Sequence, residues 1–288
     1  MWFCFVSGNE RIRTGMTTSF CVVGSPIEHS LSPVLHRAAY EQLGLDFQYD
    51  KQEVAAGDLA KFLNSRIYAG VSVTMPLKLE AFEFAALHDK HAIATGVANT
   101  LFHVDGAWSA ANTDVYGITQ ALASVTAPKQ TLIIGSGATA RSALVALLEK
   151  FPETQISILS RNESNAQELV DFAKSLGFNA GIEPDISQPV LEANLVISLV
   201  PAGSFVDLWS DIANDAKPKT GTLFDAAYNP WPSKAALAWD SDLVISGIEM
   251  LIWQAIEQVQ LFVSSTGEDK KIDRDSLYKV MKGAVSAK

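Results

Sequence analysis

The chain has 288 residues, 48% of them hydrophobic and 19% charged, enough to bury the cores of about two globular domains. The formal net charge is −10 and no basic cluster reverses it locally, which excludes nucleic acid and anionic membrane as partners. Cys4 and Cys21 are the only cysteines, too few for a metal cage or a disulfide framework, and this points to a reducing cytoplasm.

The opening run Met1-Trp-Phe-Cys-Phe-Val6 has no basic region before it and is too short for a secretory core. No uninterrupted apolar stretch reaches about 18 residues, so no transmembrane helix is expected. Met16 stands just before the first convincing strand, 20–24, and residues 1–15 read as an upstream-start extension. A helix follows over 33–43, with Ser32 as its N-cap, Pro33 at the first helical position and Gly44 past its end. Next come a strand at 47–53, a helix at 58–65, a strand at 70–74 and helical periodicity over 77–86. Segments 97–104 and 108–111 form a hairpin around Asp105-Gly106. This alternation predicts a mostly parallel sheet.

A helix at 115–125 leads into a second series: strand 129–135, helix 138–150, strand 155–160, helix 165–176, then strands 195–199, 221–225 and 244–246. Strands joined by single crossover helices mark a doubly wound domain. The tail carries a long apolar helix, 249–263, and a shorter one, 276–284, both expected to pack back on the first domain. No internal repeat or low-complexity segment is present.

Four polar side chains stand inside otherwise apolar segments: Thr74, Lys78, Asn99 and Asp114. A hydroxyl, an ammonium, an amide and a carboxylate can grip a small polyhydroxylated molecule and move a proton on it. Removing hydride from an alcohol carbon requires a group to take the hydroxyl proton, and a lysine beside a carboxylate can hold and relay it without a metal. His29-Ser30-Leu-Ser32-Pro33 offers two hydroxyls two residues apart that, in an extended segment, point the same way and could clamp a carboxylate. The five histidines show no ligand spacing; His29 alone stands near these polar segments.

Gly135-Ser136-Gly137-Ala138-Thr139-Ala140 follows an apolar strand and opens a helix, the context in which a glycine turn cradles a pyrophosphate against helix N-terminal amides. The next strand ends at Ser160-Arg161-Asn162, where an NAD site would carry an acid. A guanidinium there suits a 2′-phosphate, so NADP(H) is the expected cofactor.

The ordered segments Gly24-Ser-Pro-Ile-Glu-His-Ser-Leu-Ser-Pro33, Ser72-Val-Thr-Met-Pro-Leu-Lys78, Ala98-Asn-Thr100, Asn112-Thr-Asp114, Gly135-Ser-Gly-Ala-Thr-Ala-Arg141, Asp225-Ala-Ala-Tyr-Asn-Pro230 and Gly247-Ile-Glu-Met-Leu-Ile-Trp-Gln254 resemble the shikimate dehydrogenase family of the aromatic amino acid pathway. The resemblance runs from about Phe20 to the final helices. It implies an α/β chain of two domains. A substrate domain with a mostly parallel sheet is completed by the C-terminal helices, and a Rossmann domain for NADP is inserted between them. The expected boundaries are an extension at 1–16, substrate domain 17–118, dinucleotide domain 119–248 and returning helices 249–288.

The resemblance further implies reversible NADPH-dependent reduction of 3-dehydroshikimate to shikimate. Lys78 and Asp114 would form the acid–base pair. Ser30 and Ser32 would bind the substrate carboxylate, and Thr74, Asn99, Tyr228 and Gln254 the ring hydroxyls or their neighbourhood. Gly135, Ser136, Gly137, Ala138, Thr139, Ser160, Arg161 and Asn162 would hold the dinucleotide. Ser198, Val200, Ala226, Gly247 and Met250 would line the nicotinamide end.

Asn165 stands where the family has a second phosphate arginine, which weakens strict selection of NADP over NAD. Ser233 replaces a more usual threonine, a change expected to be minor. An NAD-dependent quinate or shikimate dehydrogenase would favour an acid in place of Arg161. A non-catalytic sensing relative would be expected to lack the lysine–aspartate pair. The partners expected are the small-molecule substrate, with no nucleic acid and no membrane, for a monomer or homodimer.

Overall fold

The computed structural model describes residues 18–183, 190, 192–201, 203–204, 209–210, 214 and 221–287, so the expected N-terminal extension lies outside the described residues. The chain divides into two compact units. One is Met1–Thr113 with Ala255–Lys288, and the other is Asp114–Gln254.

The first unit is built on a six-stranded sheet. Its elements are β1 (Thr18–Gly24), α1 (Ser32–Leu43), β2 (Phe47–Glu53), α2 (Leu59–Ser65), β3 (Gly70–Val73), α3 (Lys78–Phe84), β4 (Leu87–His88), α4 (Lys90–Thr95), β5 (Thr100–Val104) and β6 (Ala107–Ala111). The strand order is β2-β1-β3-β5-β6-β4. β1 pairs parallel with β2 and β3, and β4 parallel with β6, while β3–β5 and β5–β6 are antiparallel. The β5–β6 turn has Asp105 at φ 50° and Gly106 at φ 83°, the two positive angles of the turn that matches strand twist. α1 begins at Ser32, with Leu31 in the cap position, so Ser32 is the first helical residue rather than the cap. Its end is as expected: Gly44, at φ 63°, closes it with its amide donating to the Glu41 and Tyr40 carbonyls. β4 and α4 escaped the sequence reading because each is very short.

The second unit carries α5 (Asp114–Ala121), β7 (Gln130–Ile134), α6 (Ala138–Lys150), β8 (Gln155–Leu159), α7 (Glu163–Ser175), β9 (Ala180–Ile182), β10 (Leu195–Ser198), β11 (Thr222–Asp225), α8 (Lys234–Leu237) and β12 (Val244–Ser246). Its sheet order is β12-β11-β10-β7-β8-β9, with every pairing parallel. This is the doubly wound dinucleotide-binding order, and its topological switch lies between β7 and β10, where ligands bind beyond the strand ends. Near-continuous apolar strands such as Thr131-Leu-Ile-Ile134 suit a sheet covered on both faces.

α9 (Gly247–Ser265) runs from the second unit into the first, and α10 (Arg274–Ser286) follows. Among the described residues no helix is long and apolar enough to cross a membrane. Within the first unit, Phe262 of α9 stacks on Phe20 of β1 with ring centroids 4.7 Å apart. Arg274 at the head of α10 meets Glu257 at 2.6 Å and Gln260 at 2.7 Å.

His36 lies in this aromatic core, 4.0 Å from the Tyr49 ring and 5.9 Å from those of Tyr40 and Phe262. Among the described residues neither imidazole nitrogen has a hydrogen-bond partner, nor does the Tyr40 hydroxyl. Burial pushes the imidazole down to about 3 and pushes the Tyr40 and Tyr49 hydroxyls far upward. A histidine held neutral in the fold contributes fully above its unfolded pKa, about 6.5, and loses stability as pH falls toward 3. Unfolding free energy from urea titrations should drop by about 2 kcal/mol between pH 7 and pH 5 on account of this residue. His36→Phe should remove that part of the slope, and equal slopes for the two proteins would refute the assignment.

Candidate active site

In the first unit, backbone pairing gathers three of the expected site residues. The Val73 amide donates to the Asn99 carbonyl at 2.7 Å, and the Ala98 amide to the Lys78 carbonyl at 2.9 Å. Thr74 follows Val73 directly, and its amide donates to the Val23 carbonyl at 2.9 Å. Thr74, Lys78 and Asn99 therefore stand at one end of the sheet, where β3 runs out and β5 begins. Lys78 is only 9% exposed although it opens α3. A lysine in a first helical turn runs against the helix dipole, and a buried one sheds hydration as well.

Asn99 is held on several sides. Its Oδ1 accepts from the Thr113 amide at 2.9 Å and from the Thr100 hydroxyl at 2.8 Å, and its Nδ2 donates to the Thr113 hydroxyl at 2.9 Å. Asn112 is buried too and donates to Thr95 at 2.9 Å.

Residues 30–32 are not extended. The Ser30 amide closes a turn onto the Ile27 carbonyl at 3.0 Å, and Leu31 has helical angles. The two hydroxyls are related instead through the backbone, because the Ser32 amide donates to Ser30 Oγ at 3.3 Å. Ser32 is buried, and its hydroxyl bears on that of Tyr49.

In the second unit, Asp114 opens α5, where its carboxylate favours the helix dipole, and it is 4% exposed. One turn on is Gly117, which the sequence reading passed over. A side chain there would lie 2.8 Å from the Met250 carbonyl and 2.9 Å from Gln254 Cβ. The absent Cβ lets α5 and α9 approach at their backbones, which brings the Asp114 end of α5 toward Gln254. An isolated glycine within a helical pattern was the available signal. Gln254 is buried, and its Nε2 donates to the Leu251 carbonyl at 2.8 Å.

The glycine turn sits at the switch of the parallel sheet. Gly135 has φ 112°, in the region that favours glycine, and its amide donates to the Leu159 carbonyl at 2.8 Å. Its neighbours across the switch are Leu199 and Val200. Gly137 caps α6 in extended conformation, and a Cβ there would meet nothing within 4 Å. Among the described residues no side chain caps α6, and no acid occupies its first turn, where Ala138 and Thr139 stand, so a pyrophosphate fits this helix start. Ser136 and Ser160 join their hydroxyls at 2.8 Å, which ties the turn to the end of β8. Arg161 comes next and is exposed, and Asn162 caps α7 by accepting from the Asn165 amide at 3.0 Å.

Farther along the same sheet edge, the Ala226 amide donates to the Ser198 carbonyl at 2.8 Å. Gly247 runs so close to the Ala226 carbonyl that a Cβ would overlap it. Met250 is packed in the unit's apolar core. Burial raises the Tyr228 hydroxyl above its ordinary range. Burial likewise raises the Asp225 carboxyl, while the Ser233 hydroxyl, the Ala227 amide at 3.2 Å and the Ser198 hydroxyl hold it partly back. Ser198 thus turns its hydroxyl to Asp225.

A family model described as the shikimate dehydrogenase substrate binding domain matches residues 22–101. A shikimate dehydrogenase (NADP(+)) of Methanothermobacter thermautotrophicus is 32% identical over 93% of this chain and 98% of its own. The chain belongs to the shikimate dehydrogenase family. It also matches the pentafunctional AROM polypeptide of Candida tropicalis with 32% identity over 90% of the chain, spanning 18% of that much longer protein. Among solved structures, the shikimate dehydrogenase of Mycobacterium tuberculosis superposes with a TM-score of 0.80 at 35% identity, covering 94% of this chain and all of that one. The Thermus thermophilus shikimate 5-dehydrogenase, solved with NADP(H) and shikimate, gives 0.74 at 25% identity over 93% of this chain and all of its own.

Ser233 caps α8 through the Ala236 amide at 3.0 Å and also donates to the buried Asp225 carboxylate, two tasks for one hydroxyl. Ser233→Ala should lower unfolding free energy by about 1–3 kcal/mol, whereas Ser233→Thr keeps both bonds and should stay near the parent. Urea denaturation checks this; an unaltered Ser233→Ala protein would show that Asp225 does not depend on the donor.

Proposed function

We propose that this family member catalyses the NADP-dependent, reversible interconversion of 3-dehydroshikimate and shikimate. The observation that carries the reading is the convergence of Thr74, buried Lys78 and buried Asn99 at one end of the first sheet, in a chain related along its length to NADP-dependent shikimate dehydrogenases. NADP(H), when bound, supplies the hydride donor or acceptor. Lys78 donates a proton to the oxygen that becomes the alcohol during reduction, and takes it back during oxidation. Asp114 accepts from a substrate hydroxyl and supplies the negative charge that offsets the ammonium. Thr74, Asn99, Tyr228 and Gln254 orient the ring through its hydroxyls, and the Ser30 and Ser32 hydroxyls donate to the carboxylate.

On the cofactor side, Gly135, Ser136, Gly137, Ala138 and Thr139 take the pyrophosphate at the α6 start. Arg161 binds the 2′-phosphate, with Ser160 and Asn162 framing it. Ser198, Val200, Ala226, Gly247 and Met250 border the nicotinamide end. The exposed Arg161 adjoins a serine that is itself bonded to the glycine turn, which supports this assignment. A cytoplasmic location fits the scarcity of cysteines, and the protein works as a monomer or homodimer.

The direct test is a spectrophotometric assay of the purified protein with shikimate and with quinate, each with NADP and with NAD. The shikimate–NADP combination should give the highest kcat/KM, and absence of turnover with it would sink the proposal. Lys78→Ala should lower kcat by about 10²–10⁴-fold with a smaller change in shikimate affinity. Near-normal turnover would remove Lys78 from the proton transfer. Arg161→Asp should reduce the preference for NADP over NAD by about 10–100-fold, read as the ratio of the two kcat/KM values. An unchanged ratio would mean that Arg161 does not read the phosphate.

A further inference from the structure

Behind Asn99 runs a buried chain of side-chain hydrogen bonds. The Tyr49 hydroxyl donates to Ser72 Oγ at 2.7 Å, and Ser72 donates to Gln258 Oε1 at 2.8 Å. Gln258 Nε2 donates to Thr100 Oγ1 at 3.0 Å, and Thr100 donates to Asn99 Oδ1 at 2.8 Å. Tyr49, Ser72, Gln258, Thr100 and Asn99 are all at most 3% exposed. Four segments of the first unit contribute: β2, β3, α9 and the start of β5.

The direction of this chain is fixed at one point. Gln258 Nε2 also donates to the Asn99 backbone carbonyl at 3.1 Å, and a carbonyl can only accept. That contact sets which end of the Gln258 amide is nitrogen. Oε1 must then accept, so Ser72 donates to it and in turn accepts from Tyr49. On the other side, Thr100 accepts from Nε2, so its proton goes to Asn99 Oδ1. With its oxygen committed to Thr100 and to the Thr113 amide, Asn99 keeps Nδ2 as its donor end, and Nδ2 gives one hydrogen to the Thr113 hydroxyl at 2.9 Å.

We propose that Gln258 and Thr100 are positioning residues that set the polarity of the Asn99 amide, so that Asn99 donates to a ring hydroxyl of the substrate. The inference rests on the functional reading above and adds two residues to it. Neither touches the reacting atoms. Hydrogen bonds that run in one direction polarise one another, so loss of a link weakens the final contact without opening a cavity.

The test uses the full-length enzyme, with shikimate affinity by calorimetry and steady-state kinetics. Thr100→Val keeps the shape and removes the hydroxyl. It should raise Kd and KM for shikimate about 5–10-fold while KM for NADP stays within about two-fold. Thr100→Ser restores the hydroxyl and should restore affinity. In an Asn99→Ala background, the Thr100→Val effect should disappear, because its route to the substrate is gone. Normal shikimate affinity in Thr100→Val, or an equal loss with and without Asn99, would overturn the proposal. Failure of the unmodified enzyme to bind or oxidise shikimate would instead remove the functional reading, and this inference with it.

Discussion

Two backbone hydrogen bonds fix the strand-end corner of the first unit: Val73 amide to Asn99 carbonyl, and Ala98 amide to Lys78 carbonyl. They pin the chain on both sides of Thr74, Lys78 and Asn99, so the three side chains start from fixed Cα positions. Side chains anchored in this way lose little further freedom when a ligand arrives. The register of β3 against β5 is what permits the pinning, with Ser72 opposite Thr100. A slip of one residue would turn Asn99 to the opposite face of the sheet.

Burying so many polar groups at a strand end is costly unless each finds a partner. The fold meets this cost locally. Asn112 donates to Thr95, Asn99 is bonded on its oxygen and its nitrogen, and the Tyr49–Ser72–Gln258 series crosses from sheet to helix. The second unit adds main-chain features to its own hydroxyl contacts, Ser136 with Ser160 and Ser233 with Asp225. Gly135 turns at the switch point, Gly247 lies against Ala226, and the α6 start is left without a side-chain cap.

Most elements were legible because periodicity and punctuation agreed. The 47–53 strand, the 138–150 helix and the 244–246 strand came out with the same bounds in sequence and structure. Asp105-Gly106 marked its hairpin because glycine and aspartate tolerate positive φ. Thr74, Lys78, Asn99 and Asp114 stood out as polar residues in apolar surroundings. The same criterion could have selected Gln258, which lies one turn past Gln254 in an apolar helix, but nothing local says that its partners are Ser72 and Thr100. Those contacts join residues more than 150 positions apart. The conformation of Ser30-Leu-Ser32 was misjudged for a different reason. A serine before a proline is a familiar cap, yet here the Ile27–Ser30 turn starts the helix one residue early.

The first unit is assembled from both ends of the chain, with the whole of the second between them. During synthesis its six strands leave the ribosome first, but the Phe262 ring that covers Phe20 comes only after roughly 140 intervening residues. At cellular translation speed that is a wait on the order of ten seconds. In that interval the inserted unit has all its strands and can complete its sheet, while the earlier-made one still shows apolar surface. Nascent-chain chaperones should therefore engage the N-terminal third of this polypeptide and leave it once the last two helices emerge.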